Sequence, residues 1–353
     1  MSTSGHLDQI KLNGFRSIQS IDLKLSSLNV LIGPNGAGKS NFINFFRFMH
    51  KLQQKDLQLF VAEQGGAEAL LHFGRKHTPS LQASLAFNAH TYDFELIPTN
   101  DGRLVFKTDA CDSTSLSTPG SDESGLPRAS DATAEGRIAG YLQDWKVYHF
   151  HDTSSSAGVK QPCEVEDSEQ LREQGENLAA FLYGIQQHAP DAYQRIINTV
   201  QRAAPFFQDF ILAPDRYNST RIRLRWKHKG NDAYFDAHSL SDGTLRFICL
   251  TTLLLQPELP SIILLDEPEL GLHPYAIQLL ASMLRSASER TQVIISTQSV
   301  TLANEFEAEQ LIIVEHRENH STFNKIDSDR LAAWLEDYHL GDLWEKNLLG
   351  GTP

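Results

Sequence analysis

The sequence predicts an α/β fold on a mostly parallel sheet, and three observations carry that expectation. A mainly apolar run at 28–32, broken only by Asn29, and a uniformly apolar one at 262–265 suit parallel strands covered on both faces. Helical periodicity follows each run, and strands alternating with helices build parallel sheets. Gly33-Pro-Asn-Gly-Ala-Gly-Lys-Ser40, directly after the first run, is a complete G-x-x-x-x-G-K-[ST] phosphate loop. With 353 residues, 41% of them hydrophobic, the chain can bury the core of one large domain or two ordinary ones.

Composition narrows the class. No run of eighteen apolar residues occurs, and the first eight residues are small and polar, unlike a signal peptide. A cytoplasmic protein with no membrane span is expected. Cys111, Cys163 and Cys249 are odd in number and far apart, so they fit neither a disulfide framework nor a C-x-x-C knuckle. A net charge of −13 argues against wholesale wrapping of nucleic acid but leaves room for a local basic patch.

Taken in order, 9–12, 18–25 and 28–32 read as strands, the second with Ile21, Leu23 and Leu25 alternating. A helix over about 40–55 follows the phosphate loop. Stretches 67–73, 81–87, 92–97 and 104–107 then look like an antiparallel group, with the Asn100-Asp101-Gly102 turn between the last two. This β-rich lobe belongs to a first part of the molecule over 1–160. Within it, 108–135 is dominated by Ser, Thr, Asp, Gly and Pro, which predicts a flexible surface loop. Order returns at 138–150. Two helices broken at Ala189-Pro190-Asp191 form a short helical insertion over 165–210. The remainder, 211–353, carries an alternating strand at 221–229, a capped helix from Ser241 through Leu255, and the buried strand ending in Asp266-Glu267. A helix at 274–288, a strand at 291–296, a pair of strands at 311–315 and 322–326, and a helix at 329–338 complete it.

The chemistry concentrates in a few places. In the loop, Asn35, Gly36, Ala37 and Gly38 let successive backbone N–H groups face phosphate oxygens. Lys39 would reach the β- and γ-phosphates, the Ser40 hydroxyl would hold Mg²⁺, and Asn41 opens the helix whose positive end faces the anion. Asp266 would hold Mg²⁺ directly or through water, and Glu267 would polarise the attacking water as general base. Ser241-Asp242-Gly243 is either a plain helix cap or a second anion-binding surface. One chain does not need two γ-phosphate sites, so this surface is expected to close on ATP held by another copy. Alternation places Arg221, Arg223, Arg225, Lys227 and Lys229 on one strand face, which suits a phosphate backbone, an acidic partner or an edge strand guarded by charge. His149, His151 and Asp152 read as nucleotide-proximal groups, metal ligands or strand-end polar packing.

Phe15-Arg16-Ser17, Gly33 to Ser40, Leu240 to Gly243, Leu264-Leu-Asp-Glu-Pro-Glu-Leu-Gly-Leu-His-Pro274 and Ser296-Thr-Gln-Ser299 together resemble the ABC-type ATPase heads of the RecF, SMC and OLD grouping. The similarity is greatest to its bacterial predicted AAA-type ATPases, often found in phage-defence operons beside a nuclease or toxin, and spans residues 7 to about 326. The resemblance implies a P-loop NTPase head using ATP and Mg²⁺. It assigns Arg16 to the α-phosphate, Ser241 and Gly243 to a γ-phosphate across a dimer, Gly271-Leu-His273 to communication between sites, and Gln298 to the switch position. His is common at that position. Gln can orient water but takes no proton at neutral pH, so slow hydrolysis is expected. The glutamine loop of the grouping has no clear counterpart; 149–152 lies about where it would fall.

The function expected is an ATP-binding and ATP-hydrolysing switch that dimerises head to head on ATP, or assembles further, and regulates a separate effector such as a nuclease or toxin in antiviral defence. The alternative is a RecF-like DNA-binding ATPase of repair or maintenance, touching DNA through Arg221 to Lys229.

Overall fold

Residues 5–130, 132–326, 340–346 and 350 are described by the computed structural model. The helix expected at 329–338 lies outside them. The chain forms two compact units, each drawn from separated stretches: 1–147, 260–264 and 291–353 make one, 148–259 and 265–290 the other.

The first unit holds two six-stranded sheets, apart from Tyr148, Leu265 and Asp266 at two strand ends, which fall in the second unit. One is antiparallel, built from β1 (Gln9–Phe15), β2 (Ile18–Lys24), β4 (Leu81–Phe87), β5 (His90–Pro98), β6 (Leu104–Cys111) and β7 (Thr114–Ser115), in the order β2-β1-β4-β5-β6-β7. The first two strands thus join the β-rich lobe. Register follows side-chain alternation: Ile10 and Leu12 of β1 face Leu23 and Ile21 of β2 and are fully buried.

The other sheet is mostly parallel. It runs β17-β16-β3-β15-β14-β8, from β3 (Leu28–Ile32), β8 (Trp145–Tyr148), β14 (Ile262–Asp266), β15 (Gln292–Thr297), β16 (Leu311–Arg317) and β17 (His320–Lys325). β3 pairs in parallel with β15 and with β16, and every residue of β3 and β15 is buried. That burial explains the apolar residues at their centres, Val30 to Ile32 and Val293 to Ile295. Helix α1 (Lys39–Gln53) follows β3 and buries Phe42, Ile43, Phe45, Phe46, Phe48, Met49 and Leu52. Phe45 and Phe48 meet Phe15 of the antiparallel sheet at 5.5 and 5.9 Å between ring centroids, joining the layers of this unit through aromatic edges.

Three expectations need correction. Residues 67–73 are not a strand: α2 (Leu57–Glu63) is followed by a Gly65-Gly66 turn and the single helical turn α3 (Ala67–Leu70), after which Leu71 bridges Phe15. One helical turn is too short to show a 3.6-residue period. The stretch 108–135 extends β6, adds β7, and enters α4 (Ala134–Gln143). Its Asp109, Ser124 and Leu126 are buried, with Asp109 accepting from Tyr92 Oη at 2.9 Å, from Ser124 Oγ and from Gly125 N. Lys55 Nζ donates to the carbonyls of Ser124 and Leu126. Polar groups order this segment, which composition alone reads as disorder.

In the second unit, α5 (Leu178–His188) and α6 (Pro190–Ala203) form the expected helical pair, and α7 (Asp242–Leu255) and α8 (Pro274–Ser288) follow. The third correction concerns 221–229, which splits. β11 (Arg221–Ile222) pairs with β9 (Cys163–Glu164), while β12 (Arg225–His228) lies between β10 (Phe207–Ile211) and β13 (Tyr234–Asp236). β12 is central in its three-stranded sheet, so its charges do not guard an edge. The alternation itself holds, with Ile222, Leu224 and Trp226 buried.

Candidate functional site

In the first unit the phosphate loop curls between β3 and α1. Gly38 sits at φ 111°, and a Cβ there would fall 2.1 Å from Ser321 Oγ and 2.9 Å from Ser17 Oγ, so only glycine fits. Those two hydroxyls form a knot beneath the loop. Ser321 Oγ donates to Ser17 Oγ at 2.7 Å, Asn41 Nδ2 donates to the same oxygen at 2.7 Å, and Ser321 N donates to Ser17 O at 2.7 Å. At Gly36, by contrast, nothing lies within 4 Å of an added Cβ. The buried Lys39 directs its Nζ to the carbonyls of Gly33 at 2.6 Å and Pro34 at 3.0 Å, keeping the cation inside the loop's curl. Ala37 is buried, whereas Asn35, Gly36 and Ser40 are exposed.

Arg16 occupies a left-handed backbone, φ 51°, next to this knot. Its guanidinium donates to Gln64 Oε1 and lies 5.8 Å from the Phe15 ring centroid, and burial pulls its pKa below the usual value. At the end of β15, Thr297 is fully buried and its Oγ1 accepts from Ser299 N at 2.9 Å. Ser299 caps the short helix α9 (Val300–Ala303) through Leu302 N, and Gln298 sits half-buried between them.

In the second unit, β14 ends on Asp266 and the chain turns at Glu267, φ 46°. His151 Nε2 lies 2.8 Å from Asp266 O, a hydrogen bond when Nε2 carries the proton. The rings of His149 and His151 lie 4.2 Å apart, and Asp152 accepts from Ser154 N at 3.0 Å. Arg246, on α7, reaches two ways: Nη1 donates to Leu270 O and Nη2 to His151 O, both at 2.8 Å. Ser241 caps α7 through Thr244 N at 3.2 Å and is exposed. Gly243 approaches the next loop so closely that a Cβ would lie 2.4 Å from Gly271 O. Ser241, Gly243, Thr244, Gly271 and His273 line a pocket of about 140 Å³, with Leu270 and Tyr275 nearly half exposed nearby in sequence.

The basic strand is largely committed locally. Arg221 pairs with Glu164 at 2.8 Å, Arg223 with Asp215 at 3.4 Å, and Lys227 lies over the Tyr234 ring. Arg225 donates to Ala213 O, and Lys229 is exposed. Sequence reasoning missed Arg246 and the Ser17–Ser321 knot. Arg246 was within reach, since it lies three residues after Gly243 and so shares a helix face with it. The knot joins hydroxyls 304 residues apart and leaves no local pattern.

Residues 28–304 match the model of the family described as "AAA domain, putative AbiEii toxin, Type IV TA system". The chain belongs to this family. Among solved structures, this AAA-domain protein resembles a crystallised Smc head bound to the C-winged helix domain of ScpA, with a TM-score of 0.63 at 13% identity over 93% of this chain and 99% of that one. It also resembles an Smc head with an extended coiled coil, bound to the C-terminal domain of ScpA from Pyrococcus furiosus. There the TM-score is 0.59 at 13% identity, over 94% and 99% of the two chains. At such identity the likeness establishes the fold, a P-loop ATPase head of the ABC and SMC type. No curated protein sequence matches this AAA-domain protein. Among the described residues, no helix is long and apolar enough to cross a membrane.

Proposed function

We propose that this chain is an ATP-hydrolysing switch whose head-to-head dimer, closed by ATP, regulates a separate effector protein in antiviral defence. The observation that carries the reading is the phosphate loop. Its curl is fixed by Gly38 against two serines, its lysine is held inside by Gly33 and Pro34, and Ser40 is left exposed. Backbone N–H groups here would bind the β- and γ-phosphates, and an incoming phosphate would draw Lys39 off the two carbonyls. Ser40 and Asp266 each offer a hard oxygen that would hold Mg²⁺, and the ion would supply neutralisation of phosphate charge. Glu267 would accept the proton of the attacking water, and Gln298 would orient that water without taking its proton.

Dimerisation is supported by the surface around Ser241. It is exposed, flanked by the pocket of the second unit, and followed by the outward Leu270 and Tyr275. A second copy's γ-phosphate would add to the cap at Ser241 and Gly243. The effector reading draws on the family's toxin–antitoxin description. DNA binding through Arg221 to Lys229 is the weaker reading, because Arg221 and Arg223 already spend their charge on Glu164 and Asp215.

The test is the solution mass of the Glu267→Gln protein with and without Mg-ATP. A doubled mass only with ATP, abolished by Lys39→Ala, is the expected result. A monomer under every nucleotide condition would overturn the dimer.

A further inference from the structure

Residues 70–73 run beside 14–16: Arg16 N donates to Leu70 O at 2.8 Å, Leu71 bridges Phe15, and His72 N donates to Gly14 O at 3.1 Å. The His72 ring closes the contact, with Nδ1 2.7 Å from Arg16 O. Next along the chain comes Phe73, which holds a left-handed backbone at φ 55° and leaves 59% of its surface in water. Two local preferences are broken at one residue. A bulky side chain rarely adopts positive φ, and a large apolar ring is normally withdrawn from solvent. Among the described aromatic side chains the ring meets those of His72 at 4.5 Å and His77 at 6.2 Å, edge-on. The loop carrying it is firmly held. Thr78 Oγ1 donates to His72 O, Thr78 N to Gly74 O, and Arg75 pairs with Glu68 at 2.8 Å. Strain retained by a rigid loop beside a binding loop points to use.

Connectivity says what the ring is beside. Asn41 of α1 and Gly38 of the phosphate loop both lean on Ser17; Ser17 adjoins Arg16; and Arg16 O is bonded to His72. Phe73, exposed and next to His72, is thereby linked to the phosphate loop through the His72–Arg16 and Ser17–Asn41 contacts. Aromatic rings of this kind stack on nucleobases, each of which has a π-face.

We propose that Phe73 is the nucleobase platform of this chain, stacking on the purine of the nucleotide whose phosphates occupy Gly33–Ser40. The proposal rests on the reading of that loop as the triphosphate site. The experiment is calorimetric titration of the full chain, as wild type, Phe73→Ala and Phe73→Tyr, with Mg-ATP and with inorganic tripolyphosphate and Mg²⁺. Stacking worth 1–3 kcal/mol per base predicts that Phe73→Ala raises the Kd for ATP at least about fivefold. The Kd for tripolyphosphate should stay within about twofold of wild type, and Phe73→Tyr should bind ATP as wild type does. Unchanged ATP binding in Phe73→Ala would overturn the proposal, as would equal weakening of both ligands, which marks a loop that only supports the phosphates. Wild type binding tripolyphosphate as tightly as ATP would leave the phosphate loop intact and remove the platform. Wild type binding neither ligand would remove both.

Discussion

In the proposed reaction, Glu267 and Gln298 would set the chemistry by what they can and cannot do with a proton. Glu267 keeps a left-handed φ of 46°, which costs a side-chain-bearing residue about 1–2 kcal/mol, at the point where the chain leaves β14. In that reaction a glutamine at 298 would orient water and take no proton at neutral pH. Replacing Gln298 with His adds a group that titrates near pH 6.5. We expect Gln298→His to raise the rate of phosphate release about tenfold at pH 8, with a new fall in rate below about pH 6.5 as the imidazole protonates. A rate that neither rises nor gains that acid limb would show that position 298 does not face the water. The loop carrying Lys39 and Ser40 and the strand end carrying Asp266 and Glu267 were legible in the sequence, because each directly follows an apolar run. Phe73 was not, because its signal is a backbone angle and an exposed face, and neither is written in residue order.

Among the elements, α7 does most to organise the second unit. Its first turn presents Ser241, its Gly243 abuts Gly271, and Arg246 binds two carbonyls from separate loops. Hydrogen bonds to a charged donor contribute about 1.5–3 kcal/mol each, less where partly solvated. Arg246→Ala is therefore expected to lower the unfolding free energy by about 2 kcal/mol in urea titration, with Arg246→Lys recovering about half. A loss under about 0.5 kcal/mol would mean that Leu270 and His151 are held by other groups. Element existence was readable wherever a period had room to repeat, as in α1, α6 and α8. It failed at 67–70, a single turn, and at 108–126, where buried polar groups replace the apolar pattern. At 221–229 the alternation correctly gave the buried face, yet partner choice is not encoded in one strand's pattern, so its division between two sheets was invisible.

For the whole molecule, ligand binding and stability are linked. Mg-ATP at about a hundred times its Kd stabilises the folded state by about 2.7 kcal/mol. A chain of this size should then melt about 4 °C higher, read by calorimetry on Glu267→Gln so that the nucleotide survives the scan. Lys39→Ala should show no shift; a shift that persists in Lys39→Ala would place the nucleotide elsewhere. The α/β class was legible because strands buried on both faces read as mainly apolar runs. The division into units was not, since each is stitched from stretches far apart in sequence.

The Ser17–Asn41–Ser321 knot also carries a consequence for biosynthesis. A ribosome extends the chain at about 5–20 residues per second, and early segments fold while later ones are still being made. Gly33 to Ser40 is complete early, but the hydroxyl that backs Gly38 arrives 304 residues after Ser17, tens of seconds later at the slower rate. A nascent chain would thus hold Ser241, Gly243, Asp266 and Glu267 before the phosphate loop is braced. Bracing of the phosphate loop thus waits on a segment made long after the loop itself.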